Sequence, residues 1–368
     1  MPLRTDALRH LRRWLPVLAV VAAACSPDRY PQTALRPISD FARIGDSIQT
    51  TTFYWAFAVF VLVEGALVFA IFRFRGKPTD AEPRQVHGNT TIEIVWTVIP
   101  ALILAAIAVP TVRGIFETAA VPAADALKVQ VIGHQWWWEF RYPDLGITTA
   151  NEVHIPVGQT VSFRMGTADV VHSFWPPRFA GKRDVFPNRE TRLWFKAEEP
   201  GDYPGQCAEF CGIQHGRMAF RVRAQTAEEF QSWVAHMQEL KATPPAPPGP
   251  PPDSAPRAPG KPAEQGPPAP PSAIAAAATA GEKLFLAKGC VGCHSLNAVN
   301  APKGMIGPNL ANVGARSFIG AGSFKNTDEN LARWIQNPQL MKEGVLMPNL
   351  GVSPEDAKSL AAYLRAHQ

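Results

Sequence analysis

The sequence predicts a multidomain, membrane-anchored chain: a two-helix transmembrane hairpin, then an all-β sandwich, then a C-terminal all-α domain. Three observations carry this reading. Two apolar runs of about twenty residues occupy positions 52–74 and 92–112, and each is long enough to cross a hydrocarbon core of roughly 30 Å. Short β-type runs separated by proline and glycine fill Leu127 to Arg223. A segment with 14 prolines in 30 residues, Thr243 to Ser272, divides that region from the rest. Charged residues are 18% of the 368 and the net charge is +5. That low charge suits membrane segments and gives no case for a nucleic-acid partner. The five cysteines fall as one single, Cys25, and two close pairs, Cys207/Cys211 and Cys290/Cys293. This spacing argues for separate chemical uses rather than a disulfide framework.

Residues 1–24 read as a signal peptide. Arg4, Arg9, Arg12 and Arg13 precede an apolar run from Trp14 to Ala24 that is too short to span a bilayer. The small residues Ala22, Ala23 and Ala24 before Cys25 fit lipoprotein processing, which would make Cys25 a lipidated N-terminus; ordinary cleavage nearby is the alternative. Residues 25–50 are then an exported segment and 51–112 the hairpin. Arg73, Arg75, Lys77 and Arg84 lie between the two apolar runs. Positive loops stay cytoplasmic, so everything after Val112 is expected on the outer, periplasmic side of a bacterial inner membrane. Two carboxylates fall within the runs, where charge is costly. Glu93 is near the cytoplasmic end and can snorkel. Glu64 is mid-span and calls for a membrane partner to face.

Residues 113–225 are the β domain. Runs at 129–132, 152–155, 160–163, 192–195 and 219–222, with turns at Pro143, Gly146, Gly158, Pro187 and Gly201, read as an antiparallel sandwich. Its end carries Cys207, Glu209, Cys211, His215 and Met218 within twelve residues, and His172 stands 35 residues before Cys207. Two thiolates, imidazole and thioether form a soft ligand set that favours copper, and the cysteine spacing is unusual for structural zinc. A Cys207–Cys211 disulfide is the alternative on an oxidising side. His134 and His154 read as structural.

Residues 226–241 read as an amphipathic helix with a Thr226/Glu229 capping box and Phe230, Trp233, Val234 and Met237 at helical spacing. The Pro-rich stretch 242–273 cannot build a core and reads as a tether. Within 274–368, Cys290-Val291-Gly292-Cys293-His294 is the c-type haem attachment pattern. The cysteines would form the thioethers and His294 the proximal iron ligand. A thioredoxin-like redox pair is the alternative, without a βαβ context to support it. Met347 is expected as the distal ligand, with Met341 behind it and Met305 too close to His294 to reach the opposite face.

Beyond these readings, the segment from Cys207 to Met218 resembles the binuclear copper loop of cytochrome c oxidase subunit II. The resemblance implies a cupredoxin-like Greek-key sandwich with two copper ions held by His172, Cys207, Cys211, His215, Met218 and the Glu209 carbonyl. The Glu209 side chain would reach a magnesium ion shared with the partner subunit. Gly133-His134-Gln135-Trp136-Trp137-Trp138 resembles the family's aromatic segment, in which Trp136 would accept the incoming electron; the family more often has tyrosine in place of Trp137. Glu93 in Glu93-Ile94-Val95-Trp96 matches a family glutamate at the mouth of a proton channel. Gly181 to Arg189 departs from the family pattern in a surface loop. The region after the tether resembles class I cytochromes c, through Gly307-Pro308-Asn309-Leu310 and a last helix from Ser353-Pro354 to Arg365. Together these imply a caa3-type oxidase subunit with a fused haem domain. Its partners would be the haem-copper catalytic subunit I, subunit III, and reduced cytochrome c or a similar donor. A quinol oxidase subunit lacks the copper ligands. A copper-containing nitric oxide reductase subunit or an anchored electron shuttle are the remaining alternatives.

Overall fold

A computed structural model describes residues 30–76, 85, 88–122, 124–240, 271–302 and 305–367. Cys25, the signal peptide, Lys77, Arg84 and nearly all of the Pro-rich stretch lie outside the described residues. Two long helices come first, α1 (Asp40–Arg73) and α2 (Thr90–Ala119). Both are longer than the apolar runs that predict them. Ser39 caps α1 by accepting from the Ala42 amide, so the helix opens a dozen residues before the membrane-spanning run, inside the segment read only as exported. Asn89 caps α2 in the same way. The apolar side chains of both helices are uncovered, as expected of surfaces that face lipid and a partner. Glu64 and Glu93 are both exposed on the helix surfaces.

The outer ends of the helices are fastened to the β domain. The Asp40 carboxylate accepts from the Lys196 amide at 2.8 Å, and Trp194 donates to the Thr118 carbonyl at 3.2 Å. Phe41 meets Trp194 edge-on, and Arg43 pairs with Glu198. Gly114 lets α2 close on α1, because a Cβ there would lie 2.6 Å from Ile48 Cδ1.

The β domain is two five-stranded sheets. One has the order β3 (Ile147–Ala150), β2 (Trp137–Tyr142), β1 (Leu127–His134), β5 (Thr160–Thr167), β8 (Thr191–Lys196). The other has β4 (Glu152–Pro156), β10 (Ala219–Gln225), β9 (Gly201–Cys207), β6 (His172–Trp175), β7 (Arg183–Val185). Pairing is not antiparallel throughout: β1 runs parallel to β5 and β4 parallel to β10, because the chain crosses between sheets at these points. Aromatic rings fill the space between the sheets, with Phe174 stacked on Phe220 and Trp138 edge-on to both. The amphipathic helix forms as α3 (Ala227–Glu239) with both arms of its capping box, and buries Phe230, Trp233, Val234 and Met237.

His154 shows how this core treats a titratable group. Its ring stacks on Trp233 at 4.3 Å, and only Nδ1 has a partner, the Gln225 side chain at 3.0 Å. Burial pushes its pKa from 6.5 down to about 3, with Arg223 and Arg316 opposing a further positive charge. Below pH 6.5 the unfolded chain therefore takes a proton that the folded one refuses. Stability is expected to fall between about pH 6.5 and 3 with a limiting slope of about 1.4 kcal/mol per pH unit. Thermal melting against pH should show this limb flattened in a His154→Phe variant; an unchanged slope would remove His154 as its source.

The C-terminal domain is α4 (Pro271–Ala287), a short hairpin β11 (Phe318–Ile319) and β12 (Phe324–Lys325), α5 (Asp328–Gln336), α6 (Pro338–Met341) and α7 (Pro354–Arg365). α4 starts inside the stretch read as linker, at Pro271. Its core is built on Phe285, Leu331, Leu360 and Tyr363. Ser353 caps α7, with Pro354 at its first position.

Candidate functional site

The candidate metal centre forms where β9 ends and β10 begins. Cys207 closes β9, with its amide bonded to the Met218 carbonyl at 2.9 Å. The chain between them turns through Gly212, at φ +114, and a 3₁₀ turn over His215–Arg217. Gly212 is required twice: by that angle, and because a Cβ would sit 3.0 Å from the Trp136 ring. His172 opens β6 in the same sheet and is 0% exposed. Gly133 makes room for it, since a Cβ there would fall 2.7 Å from the imidazole.

Six predicted donor groups converge. Cys207 Sγ lies 3.8 Å from Cys211 Sγ, 3.9 Å from His172 Nδ1 and 3.3 Å from the Glu209 carbonyl oxygen. Cys211 Sγ lies 3.7 Å from His215 Nδ1 and 3.8 Å from Met218 Sδ. Both thiols are free, so the disulfide alternative is not realised. The donor atoms of His172, Cys207 and Cys211 fall within 4.8 Å of one another. Atoms at these separations surround a space of metal-ion size, and the soft donors suit copper.

The electrostatics favour a thiolate at Cys207. The contact with Cys211 lowers the pKa of the Cys207 thiol, helped by His172, while the same contact pushes Cys211 upward. Burial works against a charge on His172, but hydrogen bonds with Asp169 and Cys207 outweigh it and raise its pKa. Asp169 is a residue the sequence did not single out. Its carboxylate meets His172 Nε2 at 2.8 Å and accepts from the Gln135 amide at 2.6 Å. That fixes which imidazole nitrogen faces the sulfurs. The signal was an acidic residue three before a candidate histidine, too common a pattern to act on. His134 and His154 have structural partners only: His134 bonds Glu139 at 2.9 Å and stacks on Trp137 at 4.1 Å.

A second site lies in the C-terminal domain. Cys290 and Cys293 sit on a 3₁₀ turn after α4, at the mouth of an apolar cavity. His294 Nδ1 bonds the Pro308 carbonyl at 2.8 Å, leaving Nε2 as the ring's available donor atom. Burial lowers the His294 pKa, which keeps a lone pair free for a metal. Met347 lines the same cavity, and Met341 and Met305 do not. Two thiols, an imidazole and a thioether around an apolar cavity fit a covalently attached haem.

The two sites adjoin. Trp136 Nε1 and Gln135 Nε2 each donate to the Cys211 carbonyl at 2.9 Å, and both residues also line the haem-type cavity.

Three family models match the chain: the cytochrome c oxidase subunit II transmembrane domain over residues 39–113, its periplasmic domain over 146–225, and cytochrome c over 278–368. The cytochrome c oxidase subunit 2 of Alkalihalophilus pseudofirmus is 38% identical over 312 residues, spanning 82% of each chain. That of Bacillus subtilis is 33% identical over 313 residues, 80% of each chain. Among solved structures, the periplasmic domain of cytochrome oxidase subunit II of Bradyrhizobium japonicum is 36% identical, with a TM-score of 0.30, over 32% of this chain and 95% of that one.

Proposed function

Because the chain belongs to the cytochrome c oxidase subunit II family and carries a C-terminal cytochrome c domain, we propose that it takes electrons from an external reductant at haem c and delivers them through a binuclear copper centre to subunit I. The chain is an electron-transfer subunit of an oxidoreductase complex, with two membrane spans and association with subunit I. In our reading the copper and haem domains lie on the periplasmic side of the inner membrane. The observation that carries the path is the pair of bonds from Trp136 and Gln135 to the Cys211 carbonyl, made by residues that also wall the haem cavity.

His172, Cys207, the Glu209 carbonyl, Cys211, His215 and Met218 would hold the copper pair; Cys290, Cys293, His294 and Met347 would hold the haem. When bound, these groups store and pass single electrons. The chain's own part is rigidity. The donors are clamped by sheet hydrogen bonds, by Gly133 and Gly212, and by Asp169, so they move little when charge changes. Trp136 would be the electron-accepting residue of the copper domain. The Glu209 side chain is free to meet a magnesium ion shared with subunit I. Glu93 on α2 would offer a carboxylate at the cytoplasmic mouth of a proton path in subunit I, coupling electron delivery to proton translocation. Subunit III and a reduced cytochrome c complete the expected partners.

The purified complex should take up oxygen when supplied with reduced cytochrome c. Consumption of nitric oxide without oxygen would overturn the oxidase assignment. Asp169→Asn keeps the shape but loosens the hold on His172. Copper affinity should drop about 10–100-fold in competition with a chelator; unchanged affinity would show that Asp169 does not position the ligand.

A further inference from the structure

The haem domain is seated on the copper domain by a built interface. The tip of the β11–β12 hairpin has three consecutive left-handed residues, Gly320, Ala321 and Gly322, at φ +60, +55 and +78. This tip inserts beside the copper site. The Ala321 carbonyl accepts from the Ala219 amide at 3.0 Å, next to the candidate ligand Met218, and Ala321 packs on Trp137 and Ala150. Gly322 lies so close that a Cβ would meet Ala219 Cβ at 2.8 Å. Behind the tip, Lys342 is 1% exposed, and its ammonium donates to the Gly320 carbonyl at 2.9 Å and, across the interface, to the Arg217 carbonyl at 2.7 Å. Arg217 returns a bond to the Met341 carbonyl at 3.1 Å.

A second set of bonds holds another edge. Glu152 of β4, 2% exposed, accepts from the Ser317 amide at 2.9 Å and pairs with Arg223, which itself donates to the Ser317 hydroxyl at 2.6 Å. Residues around Val299 extend the first sheet beyond β3: the Thr148 amide donates to the Ala298 carbonyl at 2.8 Å, and the Asn300 amide to the Gly146 carbonyl at 3.1 Å. A buried ammonium and a buried carboxylate fix register, because each keeps its partners in only one seat. A tether that holds the domain at roughly millimolar local concentration makes even an interface of about 10 μM affinity ~99% closed.

We propose that the haem domain is a fixed cap on the copper domain, latched by Lys342 and Glu152, which closes Trp136 to soluble donors and makes haem c the sole way for electrons into this chain. The cap rests on the reading of Trp136 as the electron-accepting residue; the latch does not. Trp136 is only 9% exposed beneath the cap. In a swinging-carrier arrangement the same residue would alternate between the tethered haem and free donors. Here its ring is a wall of the haem cavity.

The test uses the whole detergent-purified complex with a specific protease site inserted within residues 241–270. After cleavage, haem absorbance is followed through size-exclusion chromatography, and Trp136 oxidation is read by hydroxyl-radical footprinting. The haem fragment should stay with the copper subunit and Trp136 should stay protected. Lys342→Met and, from the opposite face, Glu152→Gln should each raise the free haem fraction at least about tenfold, the loss expected for a hydrogen bond to a charged group, with Trp136 labelled after release. Departure of the wild-type fragment on cleavage overturns the cap, as does equal Trp136 labelling before and after release. Retention in both variants removes these residues from the latch. None of these readouts depends on electron transfer, so failure of the oxidase reading would show separately, in oxygen uptake.

Discussion

Replacing Cys207 by serine is expected to abolish donor-driven oxygen uptake while leaving the haem c spectrum intact. Cys207 Sγ is the centre of the donor cluster, in contact with Cys211, His172 and the Glu209 carbonyl at 3.8, 3.9 and 3.3 Å. The neighbouring Cys211 and the bond with His172 lower its pKa, which favours the thiolate a soft metal takes. A serine hydroxyl is smaller, harder and neutral at the same pH, and copper prefers the soft anion. The loss in copper affinity should exceed the ~10–100-fold typical of outer-shell changes. The fold should survive, because the Cys207 amide keeps its bond to the Met218 carbonyl. Copper analysis, visible absorption and oxygen uptake together read the outcome. Uptake that persists in a preparation free of copper would sink the copper relay.

The second large effect is expected at His294. Cys290 and Cys293, the proposed haem attachment points, lie on the turn just before it, so His294→Ala should retain covalently attached haem on a denaturing gel yet lose the low-spin spectrum of a bis-ligated iron. Electron delivery should fall beyond the same ~10–100-fold outer-shell range. Gly307→Ala gives a graded companion. Its Cβ would sit 2.5 Å from His294 Cε1 and 2.8 Å from Nδ1, pressing the ring off the Pro308 carbonyl that orients it. The variant should show a shifted spectrum and an intermediate rate. A wild-type spectrum in His294→Ala would assign the iron ligand elsewhere.

Much of this was legible in the sequence because local chemistry and local spacing coincided. The two apolar runs, the capping box at Thr226, the haem attachment pattern and the cysteine loop each lie within a few dozen contiguous residues. Five strands showed as apolar or β-branched runs. β2, β3, β6, β7 and β9 did not: β2 begins inside the tryptophan cluster, β9 contains two glycines and a proline, and β3, β6 and β7 are only four, four and three residues long, held by their neighbours rather than by propensity. The start of α1 was missed because residues 40–50 mix polar and apolar side chains and do not continue the apolar run; its Ser39 cap and the Asp40 bond to Lys196 fix it through the β domain. Asp169 and Lys342 were invisible for the same reason. Asp169 acts through a histidine that only the fold brings to the thiols. Lys342 is 125 residues from the carbonyl it binds, and nothing around it marks a buried ammonium.

The wall that Gln135 and Trp136 build across the haem cavity also constrains manufacture. Once the domain is seated, the cavity that would receive a bulky porphyrin is partly closed by a neighbour's side chains. On the proposed assignments, haem would have to join Cys290 and Cys293 before seating, and copper would have to reach the thiols of Cys207 and Cys211 before Ala321 and Lys342 settle beside their loop. Closure would then be the last step of assembly.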